Sequence, residues 1–183
     1  MIYEYSDLIK KVGGYYQLNI ALKNKKLFKI SRGLYTDEND FVDELTAFFK
    51  TYPNSVLTLE CAFAFYEFTD YVPERYQIAT SQKAHKIKNN KVEQIYISDE
   101  YLNIGKTTIN SNWGVINVYD KERMLIELFR FEKRLGSDFF KEVVNSYRKA
   151  TINDEIDFNK LSRYCSLFKR GRNIFKKIFE VIV

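Results

Sequence analysis

The chain has little of what metal sites, disulfide frameworks and nucleophilic triads are made from. Its two cysteines, Cys61 and Cys165, lie in separate apolar helical patterns, so their spacing suggests neither a zinc site nor a disulfide, and two reduced thiols in the core are expected. The single histidine, His85, has no second histidine and no cysteine or carboxylate cluster at ligand spacing, which argues against a metal role. No nucleophile on a strand-to-helix turn stands near it in sequence, which argues against a triad. Gly13-Gly14 and Gly105-Lys106-Thr107-Thr108 both miss the phosphate-loop spacing, so no nucleotide cofactor is expected. The longest apolar run falls far short of the roughly 20 residues of a membrane helix, and no apolar signal segment follows Met1. A cytoplasmic protein without a membrane partner is expected. The two prolines, beside fourteen tyrosines and many Asn and Lys, point to an AT-rich coding sequence rather than to a function.

What is present is a core and a segregated charge. An apolar content of 45% in 183 residues supports one generous domain or two small ones. Residues 1–35 hold seven Lys/Arg against two acidic groups, a net of +5, and residues 160–183 hold seven against Glu180, a net of +6. The middle of the chain carries 15 basic and 21 acidic residues, a net of −6. Positive charge at the two ends is the footprint of a protein that meets a polyanion with part of its surface.

The stretch from Tyr15 to Tyr35 concentrates that charge. Leu18, Ala21, Leu22 and Leu27 form one apolar face of a helix over 15–26, which leaves Tyr16, Gln17, Asn19, Lys23, Asn24 and Lys26 outward. Phe28, Ile30 and Leu34 then alternate with Lys29, Ser31 and Arg32 around a Gly33 turn, which reads as a small basic wing. Ser6 caps a preceding helix, Asp7 to Val12, ended by Gly13-Gly14, so residues 6–26 form a helix–turn–helix whose second helix is the candidate major-groove reader. The expected DNA contacts are Tyr15, Tyr16, Gln17, Asn19, Lys23, Lys25, Lys26, Lys29, Ser31 and Arg32.

Further on, helical spacing predicts helices over 41–52 and over Val56–Phe68, with Glu60 and Glu67 two turns apart on a wet edge. Alternation then predicts four strands, Tyr76–Ala79, Val92–Ile97, Ile104–Ile109 and Val115–Tyr119, joined in a mainly antiparallel sheet by turns at Asn89-Asn90 and Asn112 to Gly114. The loop from Ser81 to Lys91 carries Lys83, Lys86, Lys88 and Lys91, either a solvated end or a second contact to nucleic acid or an acidic partner. From Asp120 the chain reads as helical: Asp120 caps a helix closed by Gly136, others run from Asp138 to Ala150 and from the cap Asp157, and the last follows Gly171. That last helix is amphipathic, and Lys169, Arg170, Arg172, Lys176 and Lys177 make it, with Lys83, Lys86 and Lys88, a possible partner surface.

The order of these segments resembles a family. Lys29-Ile30-Ser31-Arg32-Gly33-Leu34-Tyr35, Pro53-Asn54-Ser55-Val56-Leu57-Thr58, Val72-Pro73-Glu74-Arg75-Tyr76-Gln77-Ile78-Ala79-Thr80 and Asp120-Lys121-Glu122-Arg123-Met124-Leu125-Ile126-Glu127 are similar to the AbiEi antitoxins of type IV toxin–antitoxin systems, bacterial abortive-infection modules against phage. The resemblance covers nearly the whole chain. It implies an N-terminal winged helix that binds inverted repeats in its own promoter, and a C-terminal domain that counteracts a nucleotidyltransferase toxin without a stable complex. Residue by residue it carries over Arg32-Gly33 and Tyr35 as the wing and Glu122-Arg123 as the start of the family helix.

The expected fold is therefore α+β: residues 1–52 a winged helix–turn–helix with a linking helix, and 53–183 an α+β domain with a small sheet and a C-terminal helical bundle. The expected function is that of a non-enzymatic DNA-binding autorepressor and antitoxin, monomeric in solution and paired on DNA, with no cofactor. Two alternatives stay open. One is an interaction module whose C-terminal helices bind a partner; the other is a metal-dependent nuclease using Asp99, Glu100 and Lys106.

Overall fold

A computed structural model describes residues 1–31, 33–37, 44–111 and 114–183. The fold is α+β, and the chain divides into two units, residues 1–54 with 109–116 and residues 55–108 with 117–183.

In the first unit, β1 (Ile2–Glu4) runs straight into α1 (Tyr5–Val12). The helix starts earlier than the Ser6 cap expected from sequence. Glu4 occupies the N-cap position with no side-chain cap bond, and the Tyr5 N–H donates to the Gly33 carbonyl at 2.8 Å, so the chain enters the helix already bound to a sheet. Gly13 ends α1 at φ 85°, a left-handed turn that a residue without Cβ adopts freely. α2 (Tyr15–Lys23) then closes three residues before the expected Lys26. Lys25 stands at φ 54°, its N–H donating to Leu22 O at 3.2 Å, while the Lys26 N–H donates to Ala21 O at 2.9 Å. These are the paired bonds that satisfy orphan carbonyls at a helix end.

β2 (Phe28–Ser31) and β3 (Leu34–Thr36) pair antiparallel, with a bulge between Lys29 and Ser31, and β1 pairs antiparallel on the other edge of β3. The strand order is β1-β3-β2. Leu8, Leu18, Leu27 and Tyr35 form the core under these elements, with Tyr3, Ile9, Val12, Ala21 and Leu22 packed against it. The Asp37 carboxylate accepts from the Tyr3 hydroxyl at 2.7 Å, and Lys11 Nζ donates to that hydroxyl at 3.0 Å. α3 (Glu44–Thr51) covers most of the helix expected over 41–52; the first residues of that stretch lie outside the described residues.

The second unit corrects two sequence readings. The apolar run expected as one helix over 56–68 splits into β4 (Val56–Leu57) and α4 (Leu59–Phe65), joined at Leu59, which is fully buried with φ 48°. A continuous apolar run fits a strand buried on both faces as well as a buried helix, and here its first two residues form the former. Glu60 is consequently in the first turn of α4 whereas Glu67 lies past its end at φ 58°, so the two do not share a helical edge.

The second correction is the sheet. β5 (Tyr76–Ser81), β6 (Val92–Ile97), a short α5 (Asp99–Leu102), β7 (Lys106–Ser111) and β8 (Gly114–Tyr119) follow, and the five strands are ordered β6-β5-β4-β8-β7. The sheet is mixed. β5 and β6 run parallel, from Tyr76↔Val92 to Ser81↔Ile97; β4 is antiparallel to β5 and parallel to β8, with Leu57 opposite Val118. Asn89-Asn90, expected as a hairpin turn, belongs instead to a crossover that returns the chain to the start of β5.

Helices complete the unit: α6 (Lys121–Arg130), α7 (Glu132–Leu135), α8 (Ser137–Ile152), α9 (Phe158–Ser166) and α10 (Gly171–Ile182). The stretch expected to run unbroken to Gly136 is interrupted at Phe131, which separates α6 from α7. Asp120 and Asp157 cap α6 and α9 as their spacing predicts, accepting from the Arg123 and Lys160 backbone N–H at 2.8 and 2.9 Å. α6 packs against α4, α9 and α10 and is buried on most sides; Met124, Leu125, Ile126 and Leu128 are fully enclosed. Beside it Phe63 and Phe68 each meet Tyr147 edge to face, with ring centroids 6.4 and 4.6 Å from that of Tyr147 respectively.

Candidate nucleic-acid interface

The face of α2 turned away from the core is built by helical periodicity alone. Leu18, Ala21 and Leu22 point to Leu8, Leu27 and Tyr35, so Tyr16, Ile20 and Lys23, spaced i, i+4 and i+7, share the opposite stripe. Tyr16 is 74% exposed, Gln17 and Lys23 are exposed, Ile20 in the middle of the stripe is half-buried, and Asn19 is half-buried at its margin. Tyr15 is 66% exposed at the open end of the helix, but its spacing places it on the flank of Leu18 and Leu22 rather than on the outward stripe. α2 contains no carboxylate, so nothing on it repels phosphate.

The remaining cations of the set come from the turn and the sheet. Lys25 and Lys26 sit in the turn after α2 instead of on its outer face, both exposed, and Lys29 is exposed on β2 opposite Tyr35. Ser31 is the last residue of β2, and Arg32 lies outside the described residues. Tyr16, Gln17 and Lys23 on α2, with Lys25 and Lys26 in the turn and Lys29 on β2, are thus the described members of one donor-rich, positive segment.

In the second unit, Lys83, Lys86 and Lys88 are exposed on the β5–β6 crossover. Gln94 on β6 anchors that loop: it donates to Thr80 Oγ1 at 2.8 Å and to the His85 carbonyl at 3.2 Å, and accepts from the Ile87 N–H at 2.8 Å. Lys83 meets the Asp99 carboxylate at 3.3 Å. Asp99 also accepts a hydrogen bond from Ser81 Oγ, and these two partners hold its carboxyl below the usual range. Burial in β7 lowers Lys106. Among the described residues no group of three or more His, Cys, Asp or Glu is placed to hold a metal ion. Lys169, Arg170, Arg172, Lys176 and Lys177 are exposed around α10, with Lys176 3.7 Å from Glu180.

On α6 lies a buried polar network, where sequence reasoning marked Glu122-Arg123 as part of a motif but not the Arg123–Glu127 pair as enclosed. Arg123 and Glu127 are wholly enclosed, with Arg123 Nε 2.7 Å from Glu127 Oε1. Arg123 Nη1 donates to the Tyr101 and Ile104 carbonyls at 2.6 Å each, and its guanidinium lies 4.3 Å from the Tyr119 ring centroid and 4.8 Å from that of Phe168. Arg130 reaches the same Glu127 oxygen at 2.6 Å. Nearby, Lys160 bridges Asp120 and Glu122 at 3.0 and 2.8 Å. Burial pulls the Lys160 ammonium down, but the two carboxylates more than offset it and its value ends above the ordinary one. The signal was available: Arg123 and Glu127 are an i, i+4 pair within an otherwise apolar run. Glu122-Arg123, carried over from the family motif, is therefore placed in the interior of this unit and not on a surface.

No family model matches the chain, and no curated protein matches it.

Proposed function

We propose that this protein is a DNA-binding transcriptional autorepressor, its first unit acting as a winged helix–turn–helix with α2 in the major groove and the β2–β3 hairpin as wing. The observation that carries the reading is the solvent side of α2: Tyr16 and Lys23 on the outward stripe and Gln17 flanking it, all three exposed, followed by Lys25, Lys26 and Lys29, with no carboxylate on the helix. Phosphate contacts from such lysines position a protein on the duplex, and amides and aromatic groups reach base edges. On the resemblance to the AbiEi antitoxins, the protein binds inverted repeats in its own promoter as paired monomers and works in the cytoplasm. There it counteracts a nucleotidyltransferase toxin through its second unit, without catalysis and without a stable complex.

A salt-titrated gel shift tests the DNA reading, comparing the duplex upstream of its own gene with an unrelated duplex of equal length. A steep fall of affinity with salt and a preference for the upstream duplex are expected; weak, sequence-indifferent binding would overturn it. Lys23→Ala and Lys29→Ala should each reduce the slope of log affinity against log salt by about 1. The antitoxin part is tested by co-expression with the toxin encoded alongside, where growth should recover.

A second reading, an interaction module, draws on the exposed Leu167, which caps the end of α9, and the exposed Phe179 of α10, together with Lys176 and Lys177. Deleting residues 160–183 would not test it cleanly, because Leu161 and Ile178 belong to the core. Charge reversal at Lys176 and Lys177 keeps the core and asks the same question: loss of neutralisation with DNA binding intact would favour this second reading.

A further inference from the structure

The outward stripe of α2 has an unexpected composition for a helix that only holds phosphates. Its lysine is at one end, Lys23; its middle is the half-buried Ile20 and its other end the exposed Tyr16, one turn apart on the same face. Residues at i and i+4 are surface neighbours, about 5–6 Å between Cβ atoms, so the aryl ring and the branched alkyl group form one apolar strip. Gln17 flanks that strip and is exposed. An apolar strip on an otherwise cationic segment needs an apolar counterpart on a polyanion.

The floor of the DNA major groove offers one: the C5-methyl group of thymine, which no other pair of unmodified bases presents. The adenine paired with thymine offers an N7 acceptor and an N6 donor, the pattern that a Gln side chain matches with two hydrogen bonds. Cytosine N4 calls for a carboxylate, and α2 has none. Building on the proposed DNA-binding function, we infer that α2 selects T·A base pairs by packing a thymine methyl group against Tyr16 and Ile20, with Gln17 bonded to adenine, while Lys23, Lys25, Lys26 and Lys29 set the register on phosphates. Tyr16, Ile20 and Gln17 are then specificity-determining residues, and the lysines are not.

The test removes the methyl group from the DNA rather than a side chain from the protein, so folding is not at issue. The full-length protein is used to select duplexes from a random double-stranded pool, and each thymine of the selected site is replaced in turn by deoxyuridine. One or two replacements should weaken binding by about fourfold each, the effect of unburying one methyl group. In the Tyr16→Ala/Ile20→Ala double variant, thymine and uracil duplexes should bind equally. In Lys23→Ala all affinities should fall while the thymine-to-uracil ratio stays that of the unaltered protein. Tight, salt-sensitive binding that is indifferent to every thymine-to-uracil change would overturn this inference and leave the DNA-binding function standing. Enrichment of no duplex over the starting pool would overturn both.

Discussion

Arg123 shows how much of the second unit hangs on one side chain. Its guanidinium is 0% exposed, bonded to Glu127, to the Tyr101 carbonyl of α5 and to the Ile104 carbonyl between α5 and β7, while Arg123 Nη2 and Glu127 Oε2 are buried with no hydrogen-bond partner in the described residues. Truncating one member of such a pair leaves the other charge enclosed, so Arg123→Met should cost about 3–5 kcal/mol, measured by urea unfolding. The double variant Arg123→Met/Glu127→Leu should recover much of that, because replacing both members with apolar groups removes the desolvation penalty. Gly105 tests the same contact from the other side. Its φ is 72° and an added Cβ would lie 2.4 Å from Arg123 Cβ, so Gly105→Ala should destabilise by about 2 kcal/mol or more.

Glu60 is a second residue whose chemistry is set by enclosure. Burial raises its carboxyl above the ordinary 4.5, and Oε2 is buried with no hydrogen-bond partner among the described residues. A carboxyl raised in the folded state binds its proton more tightly there than in the unfolded chain. Stability is therefore unpenalised below the unfolded value and declines as pH rises from 4.5 through the folded value. Glu60→Gln should stabilise the protein by about 0.5 kcal/mol at neutral pH, a modest gain because the group keeps some water contact, and by nothing below about pH 4. Thermal melts of the two proteins at both pH values separate this from a general packing effect.

At the scale of elements, the helix starts after Asp120 and Asp157 are where the chain's local chemistry is least ambiguous. Asp120 both caps α6 and receives Tyr164 OH and Lys160 Nζ, at 2.9 and 3.0 Å. Asp120→Ala should cost about 1–2 kcal/mol from the lost cap alone, read as a shift in the urea midpoint with an unchanged slope. These caps were legible because an Asp before an apolar periodic run has one dominant use. The Gly13 turn was legible for a similar reason. β1 was not, since three residues carry no period and Ile2–Glu4 becomes a strand only by pairing with β3. Nor was the end of α2, because its closing left-handed residue is Lys25 where a glycine would have marked it. Of the candidate interface, the donor-rich residues could be read from spacing; Ile20 was overlooked because an apolar residue is assumed to face inward.

At the scale of the whole molecule, the number of strands was nearly legible and their pairing was not. Alternation locates Tyr76–Ser81 and Val92–Ile97 but says nothing of direction, and the intervening Asn89-Asn90 imitates a hairpin turn. β4 was hidden inside an apolar run, so the strand at the centre of the sheet order escaped. The two units also differ in what holds them. In the first, one residue of α2, Leu18, is buried, whereas in the second α6 is enclosed along most of its length. Native-state hydrogen exchange should therefore find the amides of α2 opening at lower free energy than those of α6. Equal protection in both would mean that the two units unfold together.

The parallel pairing of β5 and β6 fixes how this chain can vary in length. Both strands run the same way, so residues 82–91 must carry the chain back along a strand of six residues, about 20 Å, and ten residues span at most about 36 Å. A hairpin loop could shrink to two residues, but this connection cannot. It can gain residues cheaply, since each doubling of a loop costs only about 0.6 kcal/mol, and cannot lose many. Natural variants of this protein should accordingly show insertions between Ser81 and Val92 and almost no deletions there. A library of random in-frame deletions would find that boundary as a cliff in folding yield.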